Sequence, residues 1–353
     1  MLISFDSRTY FKSRIISFRK SLRFRNFYNY NFKFFGGVPG PQEFVSNLVN
    51  VIEENKYADT TFDFINSDFH LLNSGFYSYI WRNFKLKSSK KVVLRVDGIG
   101  IDQNNFKNKN KIEKDMINLF EKSDNIIYQS KFSRDCFFNI FGKSKNNEII
   151  FNGATHLPKF NLENINLFTI LNQIPDNKYF SVAGRFIDRK RIREIISEFS
   201  QADLGYLVVL SDVPNQLRIK NKRIIYLGMI PPFFARYIIS KSQALIHFDR
   251  YDWCPNVVIC AIYDGVPVIC SNYGGTSEIV GKNGVIVQEF PDDLPSSLEG
   301  IKYANKVKFP KKIFRENILN FQNNILNIKP NLNFSMKNSA KKYIKFMQEI
   351  NTK

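Results

Sequence analysis

The stretch from Asp249 to Gly284 reads D-R-Y-D-W-C-P-N-V-V-I-C-A-I-Y-D-G-V-P-V-I-C-S-N-Y-G-G-T-S-E-I-V-G-K-N-G. Pro255 suits the first position of a helix and Gly265 its C-terminal cap. The backbone N–H groups of Asn256, Val257 and Val258 are therefore expected at an open helix start, which attracts anions and suits a diphosphate. Gly274-Gly275-Thr276 reads as a second tight turn into a short helix carrying Glu278, with further amides facing the same place. Upstream, Ala183-Gly184-Arg185 is followed by Arg189-Lys190-Arg191 and Arg193. Glycine admits a ligand close to the backbone, and Arg185 and Lys190 are the two cations expected to converge on one phosphate group. Taken alone, that run also admits the weaker reading of a solvated basic helix start.

These residues need strands and helices to hold them. Apolar runs at Tyr179–Ala183, Tyr206–Leu210, Arg223–Leu227, Ala244–Phe248, Val266–Ile269 and Gly284–Val287 predict strands with helices between them. The first half alternates in the same way. Phe32–Phe35 leads into Gly36-Gly37-Val38-Pro39, after which Phe44, Leu48, Val49 and Ile52 repeat with helical period. Lys91–Val96, Asn125–Gln129 and Glu148–Phe151 read as strands, and Ile112–Glu121 and Lys131–Phe141 as helices. The expected fold class is α/β, with two doubly wound parallel sheets facing each other across a cleft. The expected division is a basic segment 1–30, a first domain 31–165, a second domain 175–335, and a C-terminal helix 336–353 crossing back to the first domain. Pro158 and Pro175 bracket the linker.

At 353 residues, with 44% hydrophobic residues and 35 phenylalanines, the chain has material for two cores, which excludes a disordered or disulfide-stapled class. No run approaches the roughly 18 apolar residues that would span a bilayer. Cys136, Cys254, Cys260 and Cys270 form no CxxC pair, and no signal peptide is evident, so a reducing cytoplasmic setting is expected. His70, His156 and His247 show no metal-ligand spacing and receive no role.

Lys and Arg outnumber Asp and Glu by 51 to 32, a net charge of +19, which calls for an anionic partner or a compositional cause. Codon bias would explain the lysines but not the cluster Arg8, Lys12, Arg14, Arg19, Lys20, Arg23 and Arg25. Phe11, Ile15, Phe18 and Leu22 recur among these at helical spacing, a pattern that suits a helix on an anionic membrane surface. An amphipathic helix packed on its own domain suits it as well. No nucleic-acid motif accompanies the charge, and a nucleic-acid partner is not expected.

The order of motifs resembles that of the retaining glycosyltransferases of family 4, which have the GT-B fold. Those enzymes carry G-R-x-x-x-x-K, then E-x7-E, then G-x-P-V-[IV]-x-S-x-x-G-G-x-x-E-[IV]-V. Here Gly184-Arg185 with Lys190, Asp252-x7-Cys260, Gly265-Val266-Pro267-Val268-Ile269 and Gly274-Gly275-Thr276-Ser277-Glu278-Ile279-Val280 stand in that order. Ile150-Phe151-Asn152-Gly153 is similar to the I-x-N-G that closes the family's first domain. Tyr128-Gln129-Ser130-Lys131-Phe132-Ser133 looks like its acceptor-side strand and helix, and Gly36-Gly37 its first glycine loop. The likeness runs over about residues 30–350.

The resemblance implies transfer of a hexose from a nucleotide-sugar to a hydroxyl of a glycan or lipid-linked acceptor, with retained configuration, in surface polysaccharide or glycolipid synthesis. It implies no cofactor and no metal, and a cytoplasmic enzyme lying peripherally on a membrane. Carried over residue by residue, Arg185 and Lys190 hold the diphosphate and Asp252 orients the donor sugar. Gly36, Gly37, Gly184, Asn256, Val257, Val258, Cys260, Gly274, Gly275, Thr276 and Glu278 line the donor. Asp97, at the end of the strand Lys91–Val96, is the candidate for contacting the acceptor hydroxyl, and Arg95 for orienting it; Asp97 as a plain turn cap reads equally well. The nucleotide base would meet backbone near Leu210–Asp212 and Met229–Pro231. Cys260 departs from the pattern, because a thiol is a poor substitute for a carboxylate that hydrogen-bonds a ribose. That departure supports the alternative of a non-catalytic homologue or complex subunit. A nucleophilic role for Cys260 has no histidine nearby in sequence to support it.

Overall fold

The computed structural model describes residues 1–5, 40–61, 67–73, 91–98, 119–121, 123, 125–142, 146–157 and 178–352. Gly36, Gly37, the strand expected at Phe32–Phe35 and the basic stripe of residues 8–25 lie outside them. Among the described residues the first sheet contains β1 (Leu2–Phe5), β2 (Asp59–Thr61), β3 (Phe69–Asn73), β4 (Lys91–Val96), β5 (Asn125–Tyr128) and β6 (Asn146–Ile149), in the order β2-β1-β3-β4-β5-β6. The second contains β7 (Tyr179–Ala183), β8 (Tyr206–Leu210), β9 (Ile224–Tyr226), β10 (Ala244–His247), β11 (Val268–Ser271) and β12 (Gly284–Val287), in the order β12-β11-β10-β7-β8-β9. Every pairing is parallel.

Parallel strands are covered on both faces, and β7 shows how. Phe180 and Val182 pack toward α3 (Ile192–Gln201) and α8 (Lys311–Asn323), while Tyr179 faces α4 (Pro232–Ser240) and α5 (Asn256–Tyr263). The strand order reverses direction between β7 and β10, so their C-terminal ends open a crevice where ligands of such sheets bind. β11 begins two residues later than its apolar run suggests: Pro267 has no N–H for the ladder, and its carbonyl instead accepts from Leu245 N at 2.9 Å.

The sequence reading opens the first domain at residue 31, whereas Leu2–Phe5 already forms a buried strand between β2 and β3. Its apolar face packs with α1 (Gly40–Glu54) and α9 (Met336–Thr352), where Ile3, Phe5, Phe44, Leu48, Tyr343 and Met347 share one core. Two chain crossings lie side by side between the domains. Ala154 N donates to Phe334 O at 2.8 Å, and Met336 N donates to Ala154 O at 2.7 Å.

The domains also meet through aromatic rings. Phe132, on α2 (Lys131–Phe141) of the first domain, lies 5.3 Å from the Trp253 ring and 5.1 Å from Tyr273 of the second. Trp253 also covers Gly98, whose φ of 125° and lack of a Cβ allow the contact; a Cβ there would stand 2.5 Å from Trp253 Nε1.

Candidate active site

The turn after β7 sorts its basic residues into three roles. Gly184 has φ 144°, and the Lys190 stem lies directly across it, 2.9 Å from where a Cβ would be. The Arg185 side chain is exposed, with no ion pair or hydrogen bond among the described residues, while its carbonyl accepts from Ile187 N at 2.9 Å. Asp188–Lys190 forms one 3₁₀ turn, and Arg191 follows with φ 52°, fully buried on Glu289 and on Val307 O at 3.1 Å. Arg191 is thus a structural ion pair. Its burial corrects the reading of this run as a uniformly solvated face.

Arg189 and Lys190 turn to the end of β10 instead. Lys190 Nζ lies 2.9 Å from Asp249 Oδ2 and 3.6 Å from Asp252 Oδ2. Arg189 Nη1 stands 3.9 and 3.8 Å from the same two oxygens and donates to Tyr251 O at 2.5 Å. His247 Nε2 is 3.6 Å from both carboxylates. Burial pushes the Asp252 carboxyl up, but the His247 ring, Lys190 and Arg189 outweigh it and hold the group well below the usual carboxylate range. His247, Asp249 and Asp252 bring their polar atoms within 4.8 Å of one another. Side-chain cations reach the same oxygens, so these five groups form an internally compensated charge cluster.

The start of α5 is tighter than expected. Val258 N donates to Pro255 O at 3.1 Å, which removes it from the three amides expected to be open and leaves Val257 N without an acceptor among the described residues. The Asn256 side chain accepts from Asn152 Nδ2 at 2.7 Å, a bond from the other domain. Asn152 also donates to Cys254 O at 3.2 Å, so it staples the loop before α5.

At α6 (Gly275–Val280) the Gly275 amide is likewise taken, by Asp252 O at 2.7 Å, and a Cβ on Gly275 would strike Trp253 O. Gly274 presses against the Asp252 backbone, and Thr276 is buried with its hydroxyl unpartnered among the described residues. Gly274 and Gly275 therefore shape the loop that carries Asp252, and of the three expected amides the one at Gly275 is not open. Glu278, expected on the donor, turns to the other domain and accepts from Lys131 N at 2.8 Å and Phe132 N at 2.6 Å. It caps α2 across the interface. Burial moves its carboxyl upward despite those two amides.

Cys260 sits half-buried against the apolar core near Arg236. Burial drives its thiol up to about 12, against the pull of Arg236, so it stays neutral and is no nucleophile.

On the first-domain side, Arg95 is fully buried and cannot orient an acceptor. Its Nε donates to Tyr343 Oη at 3.0 Å and its Nη2 to Asn152 Oδ1 at 2.7 Å; Nη1 pairs with Asp97, and the guanidinium lies 4.0 Å over the Phe44 ring. Asp97 also accepts from Gln129 Nε2, and its side chain is 5% exposed. It precedes Gly98, on which Trp253 sits, and is less open to the cleft than its strand-end position suggests. Sequence reasoning missed Arg189, His247, Asp249, Gln129 and Trp253; only the position of His247 and Asp249 at a strand end marked them.

The architecture finds close counterparts among solved structures. Anabaena Alr3699/HepE in complex with UDP and glucose aligns over 99% of this chain and 100% of its own, with a TM-score of 0.56 at 14% identity. Sucrose-phosphate synthase from Thermosynechococcus elongatus aligns over 89% and 80%, again at 0.56, with 15% identity. The fold is GT-B.

Within this GT-B frame, residues 177–301 match the family model of group 1 glycosyl transferases, a stretch that holds β7 through the start of α7 (Leu298–Lys306) and the whole charge cluster. Over 130 residues, 33% of the chain, it is 27% identical to O-antigen chain mannosyltransferase B of Escherichia coli. Over 109 residues, 31% of the chain, it is 28% identical to TuaC of Bacillus subtilis, a protein named for teichuronic acid biosynthesis. The matched stretches span 34% and 28% of those two relatives.

Proposed function

We propose that this chain is a metal-independent glycosyltransferase that moves a hexose from a nucleotide-sugar held by the second domain to a hydroxyl of a glycan or lipid-linked acceptor, with retention. One observation carries the reading: Lys190, from the turn after β7 that also carries exposed Arg185, reaches Asp252, on the loop from β10 to α5, inside the stretch that matches group 1 glycosyl transferases. The relatives' names, an O-antigen mannosyltransferase and a teichuronic acid protein, favour a surface polysaccharide as product.

Arg185 and Lys190 bind the diphosphate, with Val257 N–H at the helix start beside them. Asp252 takes the donor sugar's hydroxyls. As the bond from the anomeric carbon to the phosphate oxygen breaks, the two cations stabilise the leaving charge. The acceptor oxygen bonds the same carbon from the same face, and its proton passes to the departing phosphate. Arg95 and Gln129 hold Asp97 at the acceptor end as a fixed acceptor of hydrogen bonds. The basic stripe of residues 8–25, in this reading, lays the enzyme on an anionic inner membrane surface.

Thermal melting against UDP, GDP, ADP, dTDP and CMP, with and without EDTA, tests the donor site. A ligand at a hundred times its Kd adds about 2.7 kcal/mol of stability. A shift from one nucleotide, kept in EDTA and lost in Arg185→Ala, is expected; no shift from any of them overturns the reading.

Cys260 favours a second reading, a homologue that binds without transferring, because a neutral half-buried thiol stands at the position of a carboxylate. Nucleotide binding without donor turnover, restored by Cys260→Glu, would select it.

A further inference from the structure

The charge cluster is balanced only while Lys190 stays on its carboxylates. Setting the imidazole aside, Arg189 and Lys190 face Asp249 and Asp252, two cations against two anions packed within 4 Å. The His247 side chain is 1% exposed, and its Nε2 points into the cluster, equidistant from both carboxylate oxygens at 3.6 Å. His247 lies on the face of β10 that carries Leu245, and its register partner on β11 is Cys270, a buried thiol held neutral by burial. The charged groups facing the ring are Asp249 at the end of its own strand, Asp252 on the following loop, and Arg189 and Lys190 from the turn after β7. On the donor-site reading above, an arriving diphosphate draws Lys190 off Asp249. That would leave two buried carboxylates with Arg189 alone, at 3.8 to 3.9 Å, an arrangement that low-dielectric surroundings disfavour.

We infer that His247 is a positioning residue that takes up a proton from solvent when a nucleoside diphosphate binds, its imidazolium replacing Lys190 as the counter-charge that holds Asp249 and Asp252. Histidine is the side chain that changes charge near neutral pH, so this exchange is available under ordinary conditions. The balance is simple: one proton leaves buffer and adds to the neutral imidazole, and no covalent bond of the ligand changes. The sign follows from linkage. A complex that holds more protons than the free protein binds more tightly as pH falls, by up to about tenfold per pH unit for one linked proton. Asp252 thereby keeps one orientation before and after the diphosphate arrives.

Isothermal titration of UDP and GDP into the full chain, in buffers of different ionisation enthalpy, counts the protons. The wild type is expected to take up about one proton per nucleotide at mildly alkaline pH, and His247→Gln none, with an affinity that no longer varies with pH beyond the ligand's own titration. A structural role for His247 would lower affinity without altering the proton count. Binding with no proton uptake, or uptake that survives His247→Gln, overturns the inference and leaves the donor site standing. Absence of any nucleotide binding overturns both. Should His247→Gln fail to fold, the wild type's imidazole nitrogen spectrum decides, since the chain has only three histidines. One ring must pass from the neutral to the charged pattern as UDP is added, and no change in any ring refutes the inference.

Discussion

Arg185 and Arg95 are both arginines at the C-terminal ends of strands, yet they invite opposite expectations. The Arg185 side chain is exposed without a partner among the described residues. Arg185→Ala should therefore change the unliganded stability by no more than about 0.5 kcal/mol, while the melting shift from nucleotide disappears. Arg95 is buried with Tyr343, Asn152, Asp97 and Phe44 around it. Arg95→Met leaves Asp97 a buried, uncompensated charge and should cost about 3–5 kcal/mol in urea unfolding. Arg95→Lys should recover little, because one ammonium cannot reach partners on separate sides of a planar fork. Gly184→Ala tests the site from the backbone side. Its φ of 144° and the Lys190 stem lying across it predict a strain of about 1–3 kcal/mol, together with weaker nucleotide binding as Lys190 is displaced. Titration calorimetry on the same sample separates the two effects.

At the scale of elements, the joint between α2 and α6 makes a prediction about pH. Glu278 reaches across the domains to cap α2, so Glu278→Ala should cost about 0.5–2 kcal/mol, the usual worth of a lost cap. Its carboxyl is raised by burial, with the two amides acting against that. A raised carboxyl favours the folded state most below the ordinary carboxylate range, and that advantage fades as pH rises through the folded value. The wild type should thus lose stability relative to Glu278→Gln as pH increases from the acid side, and then run parallel to it.

The elements themselves were unevenly legible in the sequence. Tyr179–Ala183, Tyr206–Leu210 and Lys91–Val96 are strands over the ranges their apolar runs gave, because buried parallel strands announce themselves by continuous hydrophobicity. Leu2–Phe5, Asp59–Thr61 and Phe69–Asn73 went unread, being short and set beside polar or basic residues. At the site, motif spacing brought Lys190 and Asp252 into one group. It gave no sign that Glu278 faces the other domain or that Arg95 is buried. A charge at a strand end looks open until the partner domain that covers it is known, and contacts between residues over a hundred positions apart leave no local pattern.

At the scale of the whole molecule, two devices hold the cleft. One is Trp253 seated on Gly98 between Phe132 and Tyr251. Gly98→Ala meets both the ring and an unfavourable φ, and should part the domains enough to enlarge the radius of gyration in solution scattering. The other is α9, which supplies Met336, Ala340, Tyr343 and Met347 to the first domain's core. Ending the chain at residue 335 should leave that core uncovered, while the second domain keeps its own two apolar clusters. A separate melting transition for the second domain alone is the expected readout.

The reach of α9 also bears on how the chain comes off the ribosome. The strands of the first sheet emerge early, but the helix that closes one face of them is translated only after all six strands of the second sheet. Domains of most proteins finish in the order they are made. Here the first-sheet domain must wait for α9, leaving Ile3, Phe5 and Leu48 without that cover while the second-sheet domain is made. Of these two halves, the one made earlier is the one that completes later.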